Sequence, residues 1–177
     1  MTSLHRTALC LLATLLLAAT AQAAPGDAEV EKGIHAYFKE ENTAKAFKYF
    51  QAGVAKGNAL AMAHLGQMYE HGETGKVDMN KALGLYLDAA ERQESQGFMQ
   101  LAHFFNEGRP PIKKNWAVAW ALVNTVPLRE DYSTSLRDAL EWQASDEEKN
   151  AGKALIARIR QEGVRPALRP YLPASVK

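Results

Sequence analysis

Three histidines carry the side chains best suited to metal chemistry in this sequence. His64 and His71 lie seven residues apart, about two turns of an α-helix, and His103 follows in a segment of similar pattern. A zinc site needs ligands that converge within about 2 Å of the ion, and the signature His-Glu-x-x-His is absent. The spacing favours histidines on a shared surface that faces a partner or solvent, so we expect no metal and no cofactor.

Three glutamates have the chemistry of the paired carboxylates that cleave glycosides. Glu70, Glu73 and Glu107 each lie at the end of a predicted helix or in a loop, where a solvated carboxylate is ordinary. The sequence contains no Ser-x-x-Lys or Gly-x-Ser-x-Gly motif, and its single cysteine, Cys10, lies in a segment that we expect to be removed. We predict that the protein is not an enzyme. An enzyme of cell-wall metabolism is the least favoured alternative.

The N-terminal segment has the three zones of a secretory signal peptide. Arg6 precedes an apolar run over residues 8–19, and Ala21-Gln22-Ala23 follows it. The run is shorter than the roughly 20 residues that a membrane-spanning helix needs. We predict cleavage after Ala23 and a mature chain that is periplasmic or secreted and has no integral membrane segment.

The composition of the predicted mature chain limits its partners and its sources of stability. Loss of Arg6 leaves as many acidic as basic residues, so the charge balance gives no indication of a nucleic-acid partner. The mature chain has no cysteine, so disulfides cannot support it in an oxidising compartment. Its stability must come from packing, and its length is sufficient for one domain with a core.

A repeat of 36 residues organises the rest of the chain. One set of repeated positions is Leu65-Gly66, Tyr69 and Gly72, which recur as Leu101-Ala102, Phe105 and Gly108. A second set is Ala46 with Phe50, Ala82 with Tyr86, and Ala119 with Val123. Each set has apolar residues at helical spacing, so each unit is predicted to be a pair of helices, A and B. One pair cannot bury its own apolar stripe, and stacking of units is therefore required.

Polar residues and glycines mark where these helices begin and end. Asn42, Asp78 and Asn115 each precede a helix B by the same interval, and their short side chains suit the N-cap position. Gly72 and Gly108 lie between helices A and B, where glycine readily takes the left-handed conformation that ends a helix.

The segment from Met62 to Gln93 resembles the central copy of the Sel1-like repeat family, a relative of the tetratricopeptide repeats. The positions that carry the resemblance are Ala63, Leu65-Gly66, Met68-Tyr69, Gly72, Gly75, Val77, Asp78, Lys81-Ala82, Tyr86 and Ala89-Ala90. The resemblance covers residues 29–127 and implies an all-α fold, a right-handed α-solenoid of antiparallel helix pairs with C-terminal capping helices. The third copy departs from the pattern in its loop, where residues 108–112 replace the usual Gly-x-Gly-Val.

We predict one repeat domain over residues 24–165, with units at about 29–58, 59–95 and 96–127 and a cap at 131–163. Two cap helices are predicted at 133–142 and 145–160, and Ser145 with Glu148 forms a capping box at the start of the second. Prolines at 166, 170 and 173 favour an extended tail over residues 164–177.

Solenoids of this kind bind partners on a concave face that helices A line. The residues of helices A that we predict to point outward and to bind a protein are His64, Gln67, Met68, His71, Gln100, His103 and Phe104. The favoured function is a monomeric, non-enzymatic periplasmic scaffold or adaptor that binds a protein partner. An immunity or inhibitor protein that neutralises a secreted toxic enzyme would use the same fold, and the residues do not separate these two alternatives.

Overall fold

The computed structural model of the protein describes residues 23–73, 75–125 and 134–176. Over these residues every regular element is helical, and there is no strand. The elements are α1 (Asp27–Phe38), α2 (Thr43–Ala55), α3 (Ala59–Glu70), α4 (Met79–Glu91), α5 (Ser95–Glu107), α6 (Trp116–Thr125), α7 (Thr134–Gln143), α8 (Asp146–Glu162), α9 (Val164–Leu168) and the 3-10 helix η1 (Arg169–Tyr171). The predicted signal peptide lies outside the described residues, apart from its last residue.

The predicted starts of helices B are confirmed in all three units. The side chains of Asn42, Asp78 and Asn115 each accept a hydrogen bond from the backbone N–H three residues later, at 2.9, 3.1 and 3.0 Å. The predicted left-handed glycines are also confirmed, because φ is 73° at Gly72 and 71° at Gly108. The residues next to each loop thus determine where helix A ends and helix B begins.

The unusual loop of the third unit closes on its helix as the loop of the second unit does. In the second unit the N–H of Asp78 donates to the carbonyl of Tyr69 at 2.9 Å, and in the third the N–H of Asn115 donates to the carbonyl of Phe105 at 2.8 Å. Ile112, inside the third loop, is buried. The departure from the family pattern therefore leaves the helix pair intact.

The helices are arranged as a curved array. Helices A and B of each unit pack together, as α1 with α2, α3 with α4 and α5 with α6. Successive helices A also approach each other, since α3 contacts both α1 and α5. In the described part of the chain, no Cα atoms of α2 and α4, or of α4 and α6, come within 8 Å. Helices A therefore lie on the inner side of the curve, and helices B spread apart on the outer side.

The two largest apolar clusters of the described residues differ in size. The smaller cluster joins the first two units, and its buried residues are Ala36, Ala46, Phe50, Leu65 and Met68. The larger cluster runs from α4 to the C-terminal segment, and its fully buried residues include Tyr86, Phe98, Phe104, Leu122 and Leu168. Most of the large buried side chains therefore lie in the C-terminal half of the protein.

Close approach of helices A and B explains a glycine in each of the first two units. A Cβ atom at Gly33 would lie 2.5 Å from the ring of Phe50, and one at Gly66 would lie 2.6 Å from the ring of Tyr86. A side chain at either position would collide with an aromatic ring that is itself buried. Helices A and B therefore approach closely at both glycines.

The cap helices are present, but the prediction of an extended C-terminal tail is wrong. α8 begins with the predicted capping box, whereas residues 164–171 form α9 and η1 and pack on α4 and α8. Pro166 lies in the first turn of α9, where the missing N–H removes no helical hydrogen bond. Val164 and Leu168 are fully buried. Burial of these side chains outweighs the preference of a proline-rich segment for an extended backbone.

Candidate binding surface

The inner side of the curve carries five of the predicted contact residues in accessible positions. His71 is exposed, and His64, Gln67, Gln100 and His103 are partly exposed on α3 and α5. Positions 64, 67 and 71 recur at helical spacing, and positions 100 and 103 do the same on α5. These five side chains form one polar strip across two neighbouring inner helices, which we call the inner strip.

The other two predicted contact residues are not accessible, and their predicted outward position is wrong. Met68 is 2% exposed and belongs to the smaller cluster, and Phe104 is 0% exposed and lies in the larger one. The ring of Phe104 packs edge-to-face against Tyr86, with centroids 5.9 Å apart. Each of the two residues follows an accessible one directly in sequence, and a rotation of about 100° per residue turns its side chain into the core.

His64 is the member of the inner strip with the strongest link to the core. Its ring stacks on Phe50 of α2, with centroids 4.9 Å apart and planes 21° from parallel. Burial lowers the pKa of His64 below its ordinary value of 6.5, while a hydrogen bond to the side chain of Gln67 and the charge of Glu94 act in the opposite direction. The neutral imidazole is therefore favoured in the folded protein.

The glutamates considered for catalysis are engaged in contacts between units. Glu70 is buried, accepts a hydrogen bond from the hydroxyl of Tyr86 at 2.6 Å, and forms an ion pair with the guanidinium of Arg109. Arg109 also donates to both carboxylate oxygens of Glu107, at 2.6 and 2.9 Å. Hydrogen bonds from Arg109 lower the pKa of Glu107. The pKa of Tyr86 is raised, mainly by burial and to a smaller extent by the hydrogen bond to Glu70. This network ties the second unit to the third.

A related contact joins the first two units. The hydroxyl of Tyr37 donates to a carboxylate oxygen of Glu73 at 2.6 Å, and this bond raises the pKa of Tyr37. Tyr37 and Glu73 are 36 residues apart, which is the period of the repeat. Glu70 and Glu73 thus hold successive units in register, while Glu107 positions the Arg109 that Glu70 contacts.

The described residues contain no cluster of three or more His, Cys, Asp or Glu placed to hold a metal ion. Among the same residues no helix is both long and apolar enough to cross a bilayer.

Sequence reasoning missed one exposed aromatic residue. Trp142, at the end of α7, is 92% exposed. The other two tryptophans are less accessible, because Trp120 is buried and donates to Glu141 at 2.7 Å, and Trp116 packs against the larger cluster. The sequence of α7 has an apolar spacing that places Leu136 and Leu140 inward, and Trp142 is off that spacing.

The outer side of the curve contains a groove formed by α3 and α4, which we call the outer groove. Its volume is about 320 Å³. The residues that line it are Leu65, Tyr69, Lys81, Gly84, Leu85 and Asp88. Phe47 of α2 contacts Tyr69 edge-to-face at 6.0 Å between centroids. The separation of helices B produces this groove, and no pattern in the sequence indicates it.

One solved structure is similar to the chain over most of its length. It is the crystal structure of a protective antigen present in uropathogenic Escherichia coli strains, which displays an SLR (Sel1-like repeat) fold. The TM-score is 0.65, and the match covers 88% of the present chain at 22% sequence identity. The protein has the Sel1-like repeat fold. This similarity and the all-helical structure confirm the predicted all-α solenoid of helix pairs.

The Sel1-like repeat chain covers 32% of the length of that antigen. No protein-family model matches the chain, and a search of curated proteins found no match. At this level of identity the likeness concerns the fold, so any function of the Sel1-like repeat chain must be argued from its own surfaces.

Proposed function

We propose that the protein is an exported scaffold that binds another protein through the inner strip of its Sel1-like repeats. The observation that carries the proposal is the lack of charge along the inner helices of the second and third units, α3 and α5. α3 and α5 contain no Asp, Glu, Lys or Arg before their last residues, Glu70 and Glu107, although several of their positions are partly exposed. By contrast, α8 of the cap carries charged residues along its whole length.

Charge depletion is a property of protein interfaces. Lys, Glu and Asp are depleted at the centres of interfaces because their desolvation is costly, whereas Gln and neutral His lose less when water is removed. The inner strip offers Gln67, Gln100 and His103 as donors and acceptors on rigid helices. The contacts of Glu70 and Glu107 with Arg109 hold the second and third units together, so these helices present a pre-formed surface to a partner.

The test is capture of partners by the purified chain from the cell envelope of its host. The first variant introduces three negative charges in the inner strip, by Gln67→Glu, Gln100→Glu and His103→Glu. The matched control introduces three negative charges at exposed positions of α8, by Asn150→Glu, Ala154→Glu and Gln161→Glu. We expect the control to retain the captured proteins and the inner-strip variant to lose them. Retention by both variants would contradict the proposal.

The set of captured proteins distinguishes the two roles that the fold allows. An adaptor is expected to capture several envelope proteins that the inner-strip variant loses together. A single enzyme, captured tightly and lost on the same substitutions, would instead favour the inhibitor role.

Export is proposed from the N-terminal residues and has its own measurement. Processing after Ala23 predicts that the envelope form of the protein begins at Ala24. N-terminal sequencing of the protein from a periplasmic extract tests this, and an unprocessed chain recovered from the cytoplasm would contradict it.

A further inference from the structure

Two equivalent gaps exist on the outer side of the array, one between α2 and α4 and one between α4 and α6. Both follow from the separation of helices B. The repeat relates the residues that form them: Leu65 and Tyr69 of the outer groove correspond to Leu101 and Phe105 in the second gap. The gaps can therefore be compared position by position.

In the second gap the chain covers its own surface. Arg165 of α9 donates to Asp88 at 2.7 Å through its side chain and to Glu91 at 2.5 Å through its backbone N–H. Tyr171 packs edge-to-face on Phe105, with centroids 6.4 Å apart. The hydroxyl of Ser175 contacts the side-chain oxygen of Asn80 at 3.0 Å. Residues 164–176 thus run along α4 from its last turn to its first.

The α6 residues at the second gap are buried, whereas the outer groove is open. Val118, Ala121 and Leu122 are at most 1% exposed. Their counterparts in the outer groove are Lys81, which is exposed, and Gly84 and Leu85, which are partly exposed. A Cβ atom added at Gly84 would meet no atom within 4 Å, so the groove has room above this residue.

The residues that anchor the C-terminal segment are missing from the outer groove. Ala52 and Ala55 stand at the positions of α2 that correspond to Asp88 and Glu91 of α4. Without these two carboxylates, Arg165 of a second copy of the chain would find no equivalent partner there. The same groove contains the amine of Lys81, whose side chain is 61% exposed although it lies 3.6 Å from Asp78.

The charges around the outer groove favour an acidic occupant. Lys48 is exposed on α2, one helical turn before Ala52, and so lies on the face of α2 that corresponds to the face of α4 contacted by Arg165. Lys81 lies over the ring of Tyr69 at 4.9 Å. The one acidic residue that lines the groove, Asp88, is already paired with Arg165. The C-terminal segment carries Arg165 and Arg169 and has no acidic residue, so its charge is the wrong one for this site.

We propose that the outer groove binds a short apolar segment with acidic side chains, supplied by a protein partner. The apolar side chains of the segment would lie on Leu65, Tyr69 and Leu85, as Tyr171 lies on Phe105 in the second gap. Its carboxylates would face Lys48 and Lys81. This site is on the opposite side of the array from the inner strip, so the protein would have two separate contact surfaces.

The probes for this proposal are two labelled synthetic peptides based on residues 164–176. One has the native sequence with Arg165 and Arg169, and the other replaces both arginines by glutamate. Each is titrated to about 1 mM into the isotope-labelled mature protein, a range in which weak peptide contacts are detected. We expect the acidic peptide to shift the amide signals of Tyr69, Gly84 and Leu85, and to bind about fivefold more tightly than the native peptide, the factor that an exposed charge pair contributes.

Two variants test the location and the charge dependence. Gly84→Leu fills the open groove at an exposed helical position and is expected to abolish binding of the acidic peptide. The pair Lys48→Glu and Lys81→Glu is expected to reverse the preference, so that the native peptide binds more tightly. The matched control is Gln100→Ala with His103→Ala, on the inner strip, which is expected to leave both titrations unchanged.

Several results would overturn the proposal. One is the absence of shifts at Gly84 and Leu85 with the acidic peptide, and another is unchanged binding by Gly84→Leu. Equal or tighter binding of the native peptide to the outer groove of the wild-type protein would favour a second copy of the chain as the occupant. The capture experiment tests the inner strip with substitutions that leave the outer groove unchanged. Failure of the outer-groove proposal and failure of the proposed function can therefore be distinguished.

Discussion

The first helix pair and the C-terminal half of the protein are held in place by different forces. The cluster that joins α1 and α2 to α3 contains few large buried side chains, and polar contacts supplement it, such as those of Asn58 with Pro25 and Asp27 at 3.1 and 2.8 Å. From α4 onward a continuous apolar core is closed by the cap helices and by residues 164–176. In a repeat array each unit depends on its neighbours, so we expect stability to rise from the N-terminal to the C-terminal end.

Removal of residues 164–177 should have the largest effect, because it takes away the closing segment of the larger core. The segment buries Leu168, Leu172 and Val176. Three such side chains contribute roughly 5–9 kcal/mol together, which is comparable with the total stability of a domain. We expect the truncated chain to lose cooperative urea unfolding monitored by circular dichroism.

A milder variant keeps that prediction testable if the truncated chain cannot be purified. Leu168→Ala should lower the free energy of unfolding by about 2–5 kcal/mol, as expected for a fully buried leucine. An unfolding midpoint that is unchanged by both changes would show that the C-terminal segment does not close the core.

Arg109→Ala should have the next largest effect, because it separates the second unit from the third. It leaves the carboxylate of Glu70, which is only 8% exposed, with Tyr86 as its remaining partner. A buried polar group that loses a partner costs about 1–3 kcal/mol in the free energy of unfolding. Chemical denaturation measures this loss. In the double variant Arg109→Ala with Glu70→Gln, part of the loss should be recovered, and a loss that is simply additive would contradict the coupling of the two residues.

Predictions from the sequence succeeded where a feature depends on a few neighbouring residues. Asn42, Asp78 and Asn115 cap their helices because an N-cap needs only a short side chain and the next N–H groups. The repeat period then fixed the pairing of the helices. For the same reason, the fold was identified even though no family model matches the chain.

Predictions failed where the outcome depends on residues far apart in the chain. Arg165 finds Glu91 and Asp88 at separations of 74 and 77 residues, so no local preference indicates that the proline-rich segment folds back on α4. Met68 and Phe104 were assigned to the surface because the repeat pattern locates a helical face to within about one residue. That uncertainty is sufficient to exchange a core position for an accessible one.

Two glycines in the second unit should respond to alanine in opposite directions. Gly66→Ala should destabilise the protein, because the new Cβ atom would lie 2.6 Å from the ring of Tyr86. Gly84→Ala should raise the free energy of unfolding by about 0.4–1 kcal/mol, because its Cβ has open space and the unfolded chain loses freedom. Thermal unfolding of the two variants beside the wild type compares them directly. A loss of stability in Gly84→Ala would contradict the open groove on the outer side.

The smallest expected effect concerns acid sensitivity at the contact between the first two units. Burial lowers the pKa of His64 in the folded protein, so the unfolded chain takes up the proton more readily. Above the ordinary pKa of 6.5 both states are neutral at this residue and it makes no pH-dependent contribution. As the pH falls through 6.5 toward the lowered value, stability should decrease, and below the lowered value the penalty should stay constant.

Urea unfolding at about pH 7.5 and pH 5.5, on either side of the ordinary pKa of histidine, measures this contribution. His64→Gln should reduce the loss of stability between the two pH values. Gln67→Ala provides the sharper comparison, because the hydrogen bond to Gln67 raises the pKa of His64 and its removal should make the loss larger. If the two variants change the loss in the same direction, the acid sensitivity of the N-terminal units does not arise from the stacked imidazole.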